Sequence, residues 1–173
     1  AKPEGPLLAP ISILERGEIR ARRARALLVN LPRHIGEREV KAVCDRLGWP
    51  AAWCEVAVLG DVAGVGNVLQ LEIESDAITE VVTAFGERGV RAETVAENAV
   101  SATKRYLAAD LPVGEHLADQ LLLPMALAKG GRFTTVTPSP HTTTNIAVIE
   151  KFLPVEITCG EFGAGRWRIA VEV

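Results

Sequence analysis

Residues 68–74 read Val-Leu-Gln-Leu-Glu-Ile-Glu, and this stretch decides the fold class of the first part of the chain. Leu69, Leu71 and Ile73 fall on one side of an extended segment, and polar residues fall between them on the other side. Strict alternation over this length predicts a half-buried β-strand. A strand of this kind needs helices or further strands to cover its apolar side, and the flanking sequence supplies both.

The segments around this strand predict a compact α+β module over about residues 17 to 108, with the order β-α-β-β-β-α. The other expected strands are Ile19–Leu31, Trp53–Leu59 and Val81–Phe85, and Gly60–Asn67 is expected to be a loop. The expected helices are Gly36–Leu47 and Ala92–Leu107. One stripe of the second helix carries Ala92, Ala96, Ala99, Thr103 and Leu107.

A second group of elements follows the break at Pro112–Gly114. We expect a helix over Glu115–Ala128 with Leu117, Leu121, Met125 and Ala128 on its buried stripe, kinked or interrupted at Pro124. A strand is expected at Arg132–Val136, and a helix at Thr142–Phe152 with Ile146, Ile149 and Phe152 facing inward. Val155–Cys159 and Trp167–Val173 should pair as a hairpin across the turn at Gly163–Gly165.

Composition places the chain among globular proteins: of 173 residues, 48% are hydrophobic and 24% are charged. The net charge of −3 excludes nucleic-acid binding through bulk charge, so any contact with RNA requires a local basic patch. No apolar stretch approaches the roughly 18 residues of a membrane span. Residues 1–6 contain neither a starting Met nor an apolar signal core. We therefore interpret the chain as a processed or excised piece of a longer protein.

The three cysteines, Cys44, Cys54 and Cys159, lack the CxxC spacing of a zinc or redox motif. We expect reduced thiols in a cytoplasmic protein, with no zinc or other metal site in this chain.

His141 is the first candidate for chemistry. It follows Pro138-Ser139-Pro140, which makes its backbone approach stiff, and precedes three threonines that are good N-cap residues for the next helix. The positive end of a helix dipole favours an uncharged imidazole, which can act as a nucleophile. The same helix end, with free N–H groups and three hydroxyls, suits a phosphate. The alternative is an ordinary histidine in a proline-rich surface loop.

A second candidate lies on the helix that starts near residue 115. His116, Asp119 and Gln120 are spaced i, i+3 and i+4 and share one helix face. A ring that can stack, with a carboxylate and an amide, makes a plausible set for binding a purine. The alternative is a solvated helix face.

A third feature is a run of arginines that could contact RNA phosphates, or could form the solvated face of a strand and a helix. Its members are Arg16, Arg20, Arg22, Arg23, Arg25, Arg33 and Arg38.

Residues 114–154 closely resemble the RNA 3′-terminal phosphate cyclase family. The resemblance is carried by Gly-Glu-His-Leu-Ala-Asp-Gln-Leu-Leu-Leu-Pro (114–124), Phe-Thr (133–134), Pro-Ser-Pro-His (138–141) and Thr-Asn-Ile-Ala-Val-Ile-Glu-Lys-Phe-Leu-Pro (144–154). Weaker similarity covers 15–107. The chain therefore resembles the C-terminal half of a family member.

The resemblance implies an α+β architecture with two parts. Residues 15–110 would form a thioredoxin-like insert domain, and 111–173 would form the last βαβαββ-type repeat of the catalytic large domain. Residues 1–14 would be the tail of a large-domain repeat.

The resemblance also implies an ATP-dependent ligase that converts an RNA 3′-phosphate into a 2′,3′-cyclic phosphate through a histidine–AMP intermediate. His141 matches the adenylylated histidine, and His116, Leu117, Ala118, Asp119 and Gln120 match the ATP-binding segment. His116 departs from the family, which has tyrosine there. A divalent metal, Mg or Mn, would have its ligands outside this chain.

The expected partners are an RNA with a 3′-phosphate, the missing N-terminal half, and further copies of the chain. The alternative function is that of a non-catalytic, cyclase-like RNA-binding or ribosome-assembly factor. That branch of the family lacks the histidine.

Overall fold

The computed structural model describes residues 8–60 and 63–173. Residues 1–7 of the expected N-terminal tail and residues 61–62 of the expected loop lie outside the described residues. The chain divides into two compact units, one made from Ala1–Gly17 with Ala109–Val173 and the other from Glu18–Ala108. The described residues contain two four-stranded sheets and four α-helices, which confirms the predicted α+β class.

The elements are numbered in chain order. They are β1 (Ile11–Ile13), β2 (Ile19–Val29), α1 (Arg33–Leu47), β3 (Cys54–Leu59), β4 (Gly66–Ser75), β5 (Thr79–Phe85), α2 (Ala92–Ala109), α3 (Glu115–Leu127), β6 (Gly131–Thr135), α4 (Pro140–Phe152), β7 (Glu156–Gly163) and β8 (Arg166–Glu172), with a single 3₁₀ turn at Ala51–Trp53 before β3.

The Glu18–Ala108 unit has the predicted order β-α-β-β-β-α, and its sheet order is β3-β2-β4-β5. Strands β2 and β3 are parallel, so helix α1 serves as the crossover between them, and the other pairs are antiparallel. Leu69, Leu71 and Ile73 of β4 are fully buried, as their alternation predicts. They form one core with residues of α1 and α2, including Val43, Val95 and Ala96.

Helix α1 begins three residues before its predicted start at Gly36. Pro32 is its N-cap residue, and Gly36 lies buried inside the helix. A Cβ atom at Gly36 would lie 2.8 Å from a methyl carbon of Val56 and 3.0 Å from the Cβ of Ala26. The glycine therefore allows α1 to lie close against β2 and β3, a role that sequence pattern alone does not distinguish from a helix boundary.

The other unit has the sheet order β1-β6-β8-β7. Strand β1 is parallel to β6, with Ile11 opposite Gly131 and Ile13 opposite Phe133. Strands β7 and β8 form the predicted antiparallel hairpin. When residues 18–108 are passed over, the order of elements in this unit is β-α-β-α-β-β.

Helix α3 departs from the prediction in two respects. It continues through the exposed Pro124 to Leu127. The prediction of an interruption there was wrong. The buried residues are Ala118, Leu122, Met125 and Ala126, whereas Leu117, Leu121 and Ala128 are only partly buried. At Leu117 and Leu121 the buried residue is thus the next one along the chain, Met125 is buried as predicted, and Ala128 follows the end of the helix.

Helix α4 also differs from the prediction. It starts at Pro140 rather than Thr142, and it buries Thr142 and Ile149. Ile146 is partly buried, but Phe152 is 81% exposed, so the prediction that Phe152 faces inward was wrong. Phe152 is the last residue of the helix. No described helix combines the length and the apolar character needed to cross a membrane.

Candidate active site at the start of helix α4

His141 is the second residue of α4, directly after Pro140 at the first helical position. Ser139 is the N-cap residue, and its Oγ accepts a hydrogen bond from the backbone N–H of Thr142 at 3.3 Å. Proline at the first position suits a helix start, because its fixed φ is helical and it has no N–H to leave unsatisfied. The sequence therefore fixes the backbone on both sides of His141, and the imidazole side chain is exposed.

The three threonines after His141 have roles other than the one predicted. They were expected to be N-cap residues, but Ser139 takes that position. Thr142 is buried with its Oγ1 3.3 Å from Ser139 Oγ, and Thr143 Oγ1 donates to the carbonyl oxygen of Pro140 at 3.1 Å. Thr143 and Thr144 are both exposed.

The backbone N–H of His141 forms no hydrogen bond within the part of the chain that the structure describes. Since Thr142 and Thr143 already donate their N–H groups to Ser139, the N–H of His141 is the donor left at this helix end. It lies at the positive end of the helix dipole, where an anion such as phosphate is stabilised.

An open cleft of about 540 Å³ lies beside His141. Its lining residues are Asp119, Pro140, His141, Thr144, Asn145 and Val148. Four of the five lining residues from α4, beginning with His141, follow the spacing i, i+3, i+4 and i+7, which places them on one face of the helix. Helix α3 contributes Asp119, so the cleft brings together one residue from each of the two predicted clusters.

Asp119 is held by a contact between the two helices. The side-chain amide of Asn145 donates to the Asp119 carboxylate at 2.8 Å and approaches the Asp119 carbonyl oxygen at 3.3 Å. Asn145 is partly buried, which shields this hydrogen bond from competing water. The carboxylate is therefore fixed in orientation at the same cleft that His141 lines.

The other residues of the predicted nucleotide-binding segment are placed differently. His116 and Gln120 are exposed on α3 and are not among the residues that line the cleft. Leu117 is partly buried, and Ala118 is fully buried, so the Ala118 side chain packs inward. Of the five residues in this segment, Asp119 is the one that the structure brings to His141.

Asn145 and Thr144 were not among the predicted site residues. Both lie in the stretch 144–154, which carries the family resemblance, and Asn145 follows His141 by four residues. That spacing is a usable signal, since residues four apart are neighbours on a helix face. Asp119 and Asn145 are 26 residues apart, so their hydrogen bond requires knowledge of how α3 and α4 pack.

The arginine run contacts mainly carboxylates of the chain itself. Five of its seven members form ion pairs, which are Arg16–Asp110, Arg20–Asp76, Arg25–Glu55, Arg33–Glu37 and Arg38–Glu93. For Arg22 and Arg23, the described residues contain no ion pair. This pattern favours a role on the solvated surface, and contact between this run and RNA stays a prediction.

Metal binding finds no support in the side chains that the structure describes. They include no group of three or more His, Cys, Asp or Glu residues arranged to hold a metal ion. The residues around His141 therefore do not fit a divalent metal without ligands from elsewhere, and no chemical step is assigned to one.

Residues 14–108 match the family described as RNA 3′-terminal phosphate cyclase (RTC), insert domain. The chain is 46% identical over 154 residues to the RNA 3′-terminal phosphate cyclase of Salmonella agona, covering 89% of this chain and 44% of that protein. It is 48% identical over 151 residues to the protein of the same name from Ralstonia nicotianae, covering 87% and 43% of the two chains.

The Koribacter versatilis protein of that name is 44% identical over 154 residues, covering 89% of this chain and 43% of the relative. The chain thus spans less than half the length of the curated relatives that it matches. Because more than half of the chain matches the insert-domain family and relatives of this name match most of it, the chain belongs to the RNA 3′-terminal phosphate cyclase family.

Proposed function

We propose that the protein containing this chain converts an RNA 3′-phosphate to a 2′,3′-cyclic phosphate at the cost of ATP, with His141 as the residue that carries AMP. The observation that carries the proposal is the position of His141: an exposed imidazole at a capped helix start, lining a cleft with the fixed carboxylate of Asp119. The names of the relatives support a cyclase reaction on an RNA 3′-terminal phosphate, and the position of His141 supports its assignment as the residue that carries AMP.

In the first step, a ring nitrogen of His141 attacks the α-phosphorus of ATP. A P–N bond forms, the P–O bond to the β-phosphate breaks, and pyrophosphate leaves. The backbone N–H of His141 and the dipole of α4 stabilise negative charge on the oxygens of the reacting phosphate. Such covalent catalysis divides one difficult transfer into easier ones.

In the second step, an oxygen of the RNA 3′-phosphate attacks the same phosphorus and releases His141, so the RNA end carries AMP through a phosphoanhydride bond. In the third step, the neighbouring 2′-hydroxyl attacks the RNA phosphorus. AMP leaves, the hydroxyl proton is lost, and the cyclic phosphodiester closes. The histidine is regenerated for the next cycle.

Asp119 and Gln120, with the ring of His116, would recognise the nucleoside part of ATP. Leu117 and Ala118 would hold that segment of α3 in place, since Ala118 is fully buried and Leu117 is partly buried. An imidazole at position 116 can stack on adenine, although with less ring surface than a larger aromatic side chain. A divalent metal, Mg or Mn, would be held by ligands in the remainder of the full-length protein.

The proposed setting follows from the same reaction. The remaining half of the protein would complete the RNA site and the nucleotide site, and the cytoplasm would supply ATP and cleaved RNA. Copies of this chain made alone would associate through apolar surface that the remaining half covers.

The test is incubation of the full-length protein with ATP labelled at the α-phosphate. We expect label on the wild type that is released by acid and stable to alkali, as a phosphoramidate should be. His141→Ala and His141→Asn should both remove it. The matched control is His34→Ala, since His34 is an exposed histidine of the insert that should leave labelling unchanged. Undiminished labelling of the His141 variants would refute the assignment. An unlabelled wild type would favour the non-catalytic RNA-binding or ribosome-assembly role.

A further inference from the structure

Two cysteine side chains meet in the Glu18–Ala108 unit. The Sγ atoms of Cys44, near the end of α1, and Cys54, at the start of β3, lie 2.9 Å apart. Both residues are partly buried, and neither is used by the proposed function. Two thiols already in contact need approach by only about 0.9 Å to reach the ~2.05 Å bond of a disulfide.

The chain between the two cysteines is fixed by its own hydrogen bonds. The backbone N–H of Gly48 donates to the carbonyl of Cys44 at 2.9 Å, and Gly48 adopts the left-handed conformation that ends α1. The backbone N–H of Trp53 donates to Pro50, and that of Cys54 donates to Ala51. The two sulfurs are therefore held together by a preformed segment.

Small reagents have a path to this pair. Cys54 lines an open groove of about 550 Å³ together with Trp53 and Arg25, and Trp53 is 41% exposed. Trp49 and Trp53 contact each other edge to face at 6.5 Å between their ring centres, within the same segment. A change in bonding at the sulfurs thus occurs beside two indole rings, which gives the site a fluorescence readout.

We propose that Cys44 and Cys54 form a redox modification site, which a hydroperoxide converts reversibly to an intramolecular disulfide. The thiolate of one cysteine attacks the peroxide and becomes a sulfenic acid, with release of hydroxide. The second sulfur attacks the first, the S–O bond breaks, and water leaves. The balance is two thiols and one hydrogen peroxide to one disulfide and two waters.

The surroundings of Cys54 make its thiol a weak acid. Burial first, and then the hydrogen bond and charge of Cys44, raise the pKa of Cys54 to about 12. Cys54 is the sulfur that lines the open groove, so peroxide reaches the pair there. Whichever sulfur reacts first, the other lies in contact with it and supplies the second thiol. Cys159 is the matched control, because it is also partly buried and is not in contact with another cysteine of the described residues.

The experiment treats the 173-residue chain with hydrogen peroxide, removes the peroxide with catalase, and counts thiols after unfolding. We expect three thiols to fall to one, with a mass loss of about 2 Da, no dimer on a non-reducing gel, and recovery of three thiols with dithiothreitol. Digestion should link the Cys44 peptide to the Cys54 peptide. The tryptophan fluorescence should change on oxidation and return on reduction.

Three variants make the result decisive. Cys159→Ser should still lose two thiols, whereas Cys44→Ser and Cys54→Ser should each lose the mass decrease and gain oxygen atoms instead. Wild-type protein that gains 16 or 32 Da without linked peptides would overturn the proposal. So would disulfide-linked dimers formed through Cys44 or Cys54. If a serine variant folds poorly, the linked Cys44 and Cys54 peptides in the digest of the oxidised wild type still test the proposal.

Discussion

The side-chain amide of Asn145 lies 2.8 Å from the Asp119 carboxylate and joins helix α4 to helix α3 beside the exposed ring of His141. His141 and Asn145 are one turn apart on the same helix face. The residue proposed to carry AMP and the residue proposed to bind the nucleotide are thus connected through a single side chain. A change at Asn145 should therefore affect nucleotide use even though Asn145 does no chemistry.

Asn145→Ala and Asp119→Ala in the full-length protein should each lower the rate of AMP labelling by roughly tenfold or more, because each leaves a polar partner unpaired. Asn145→Asp should be more harmful than Asn145→Ala, since it places two carboxylates together. Gln120→Ala should also weaken ATP use, and Glu115→Ala is the exposed control on the same helix. Equal, small effects at all these positions would mean that this is only a solvated helix surface.

Ser139→Ala should destabilise the unit that contains α4 by about 1 kcal/mol, because the first turn loses its N-cap acceptor. Ser139→Asp should recover most of that stability, as Asp also caps helices. Urea unfolding measures the difference. Thr144→Ala is the control, since Thr144 is exposed and does not cap the helix. An equal loss for both variants would contradict the capping role.

Gly36→Ala should destabilise the insert unit by about 1–2 kcal/mol despite the better helix propensity of alanine. The added Cβ would meet Val56, Ala26 and Leu28 at 2.8, 3.0 and 3.2 Å. Gly60→Ala is the matched control, because no described atom would lie within 4 Å of its Cβ. Thermal or urea unfolding of the two variants should separate them clearly. A Gly36→Ala variant as stable as the control would show that α1 shifts freely on the sheet.

Glu39→Gln should raise the free energy of unfolding at pH 7, by on the order of 1 kcal/mol. Glu39 is fully buried, and burial raises its pKa, although the hydrogen bond from Asn67 opposes part of that rise. The folded carboxyl binds its proton more tightly than the unfolded one does. The protonated Glu39 carboxyl therefore stabilises the folded state fully when the pH is below the pKa that Glu39 has in the unfolded chain. This stabilisation is lost as the pH rises through the higher pKa that Glu39 has in the folded state.

The gain from Glu39→Gln should accordingly shrink as pH is lowered toward 4, where the carboxyl is increasingly protonated. Unfolding curves at several pH values check this sign. Glu37→Gln, on the exposed side of α1, should show no such trend. A gain that grows on acidification would contradict the raised pKa.

The chain alone should fold but should not label His141 at a normal rate. In the unit that holds His141, the helices expose Leu127 at 55% and Phe152 at 81%, which provides apolar surface for self-association. Charged groups expected in the other half would be missing from the site. Mixing the chain with the separately made N-terminal half should restore labelling. Full labelling by the chain alone would show that residues 1–173 already contain a complete site.

The sequence pattern predicted the structure correctly where the hydrophobic periodicity matches the burial seen in the fold. The alternation in β4 identified the buried leucines, and the glycines at 163 and 165 identified the β7–β8 hairpin. It predicted the structure poorly where contacts between secondary-structure elements determine the role of a residue. Gly36 resembles a helix boundary but is a packing position, and the apolar character of Phe152 does not reveal that its side chain is exposed at the end of α4.

The same distinction holds for the site. Local chemistry placed His141 at a helix start, because Pro-Ser-Pro constrains the chain in any context. It assigned the cap to the wrong hydroxyls, since serine and threonine on both sides of the histidine are equally good cap residues. The pairing of Asp119 with Asn145, and the contact between Cys44 and Cys54, depend on packing between elements that periodicity does not report.

The parallel pairing of β1 with β6 has a consequence for synthesis on the ribosome. Ile11 emerges first, but its partner Gly131 is made 120 residues later. At about 5–20 residues per second, strand β1 waits roughly 6–24 s for its neighbour. Every residue of Glu18–Ala108 has been synthesised before that neighbour appears. The inserted unit can therefore complete its own core first. Until β6 is made, strand β1 has no partner strand in the sheet, and only chaperones or its own solubility protect it from aggregation.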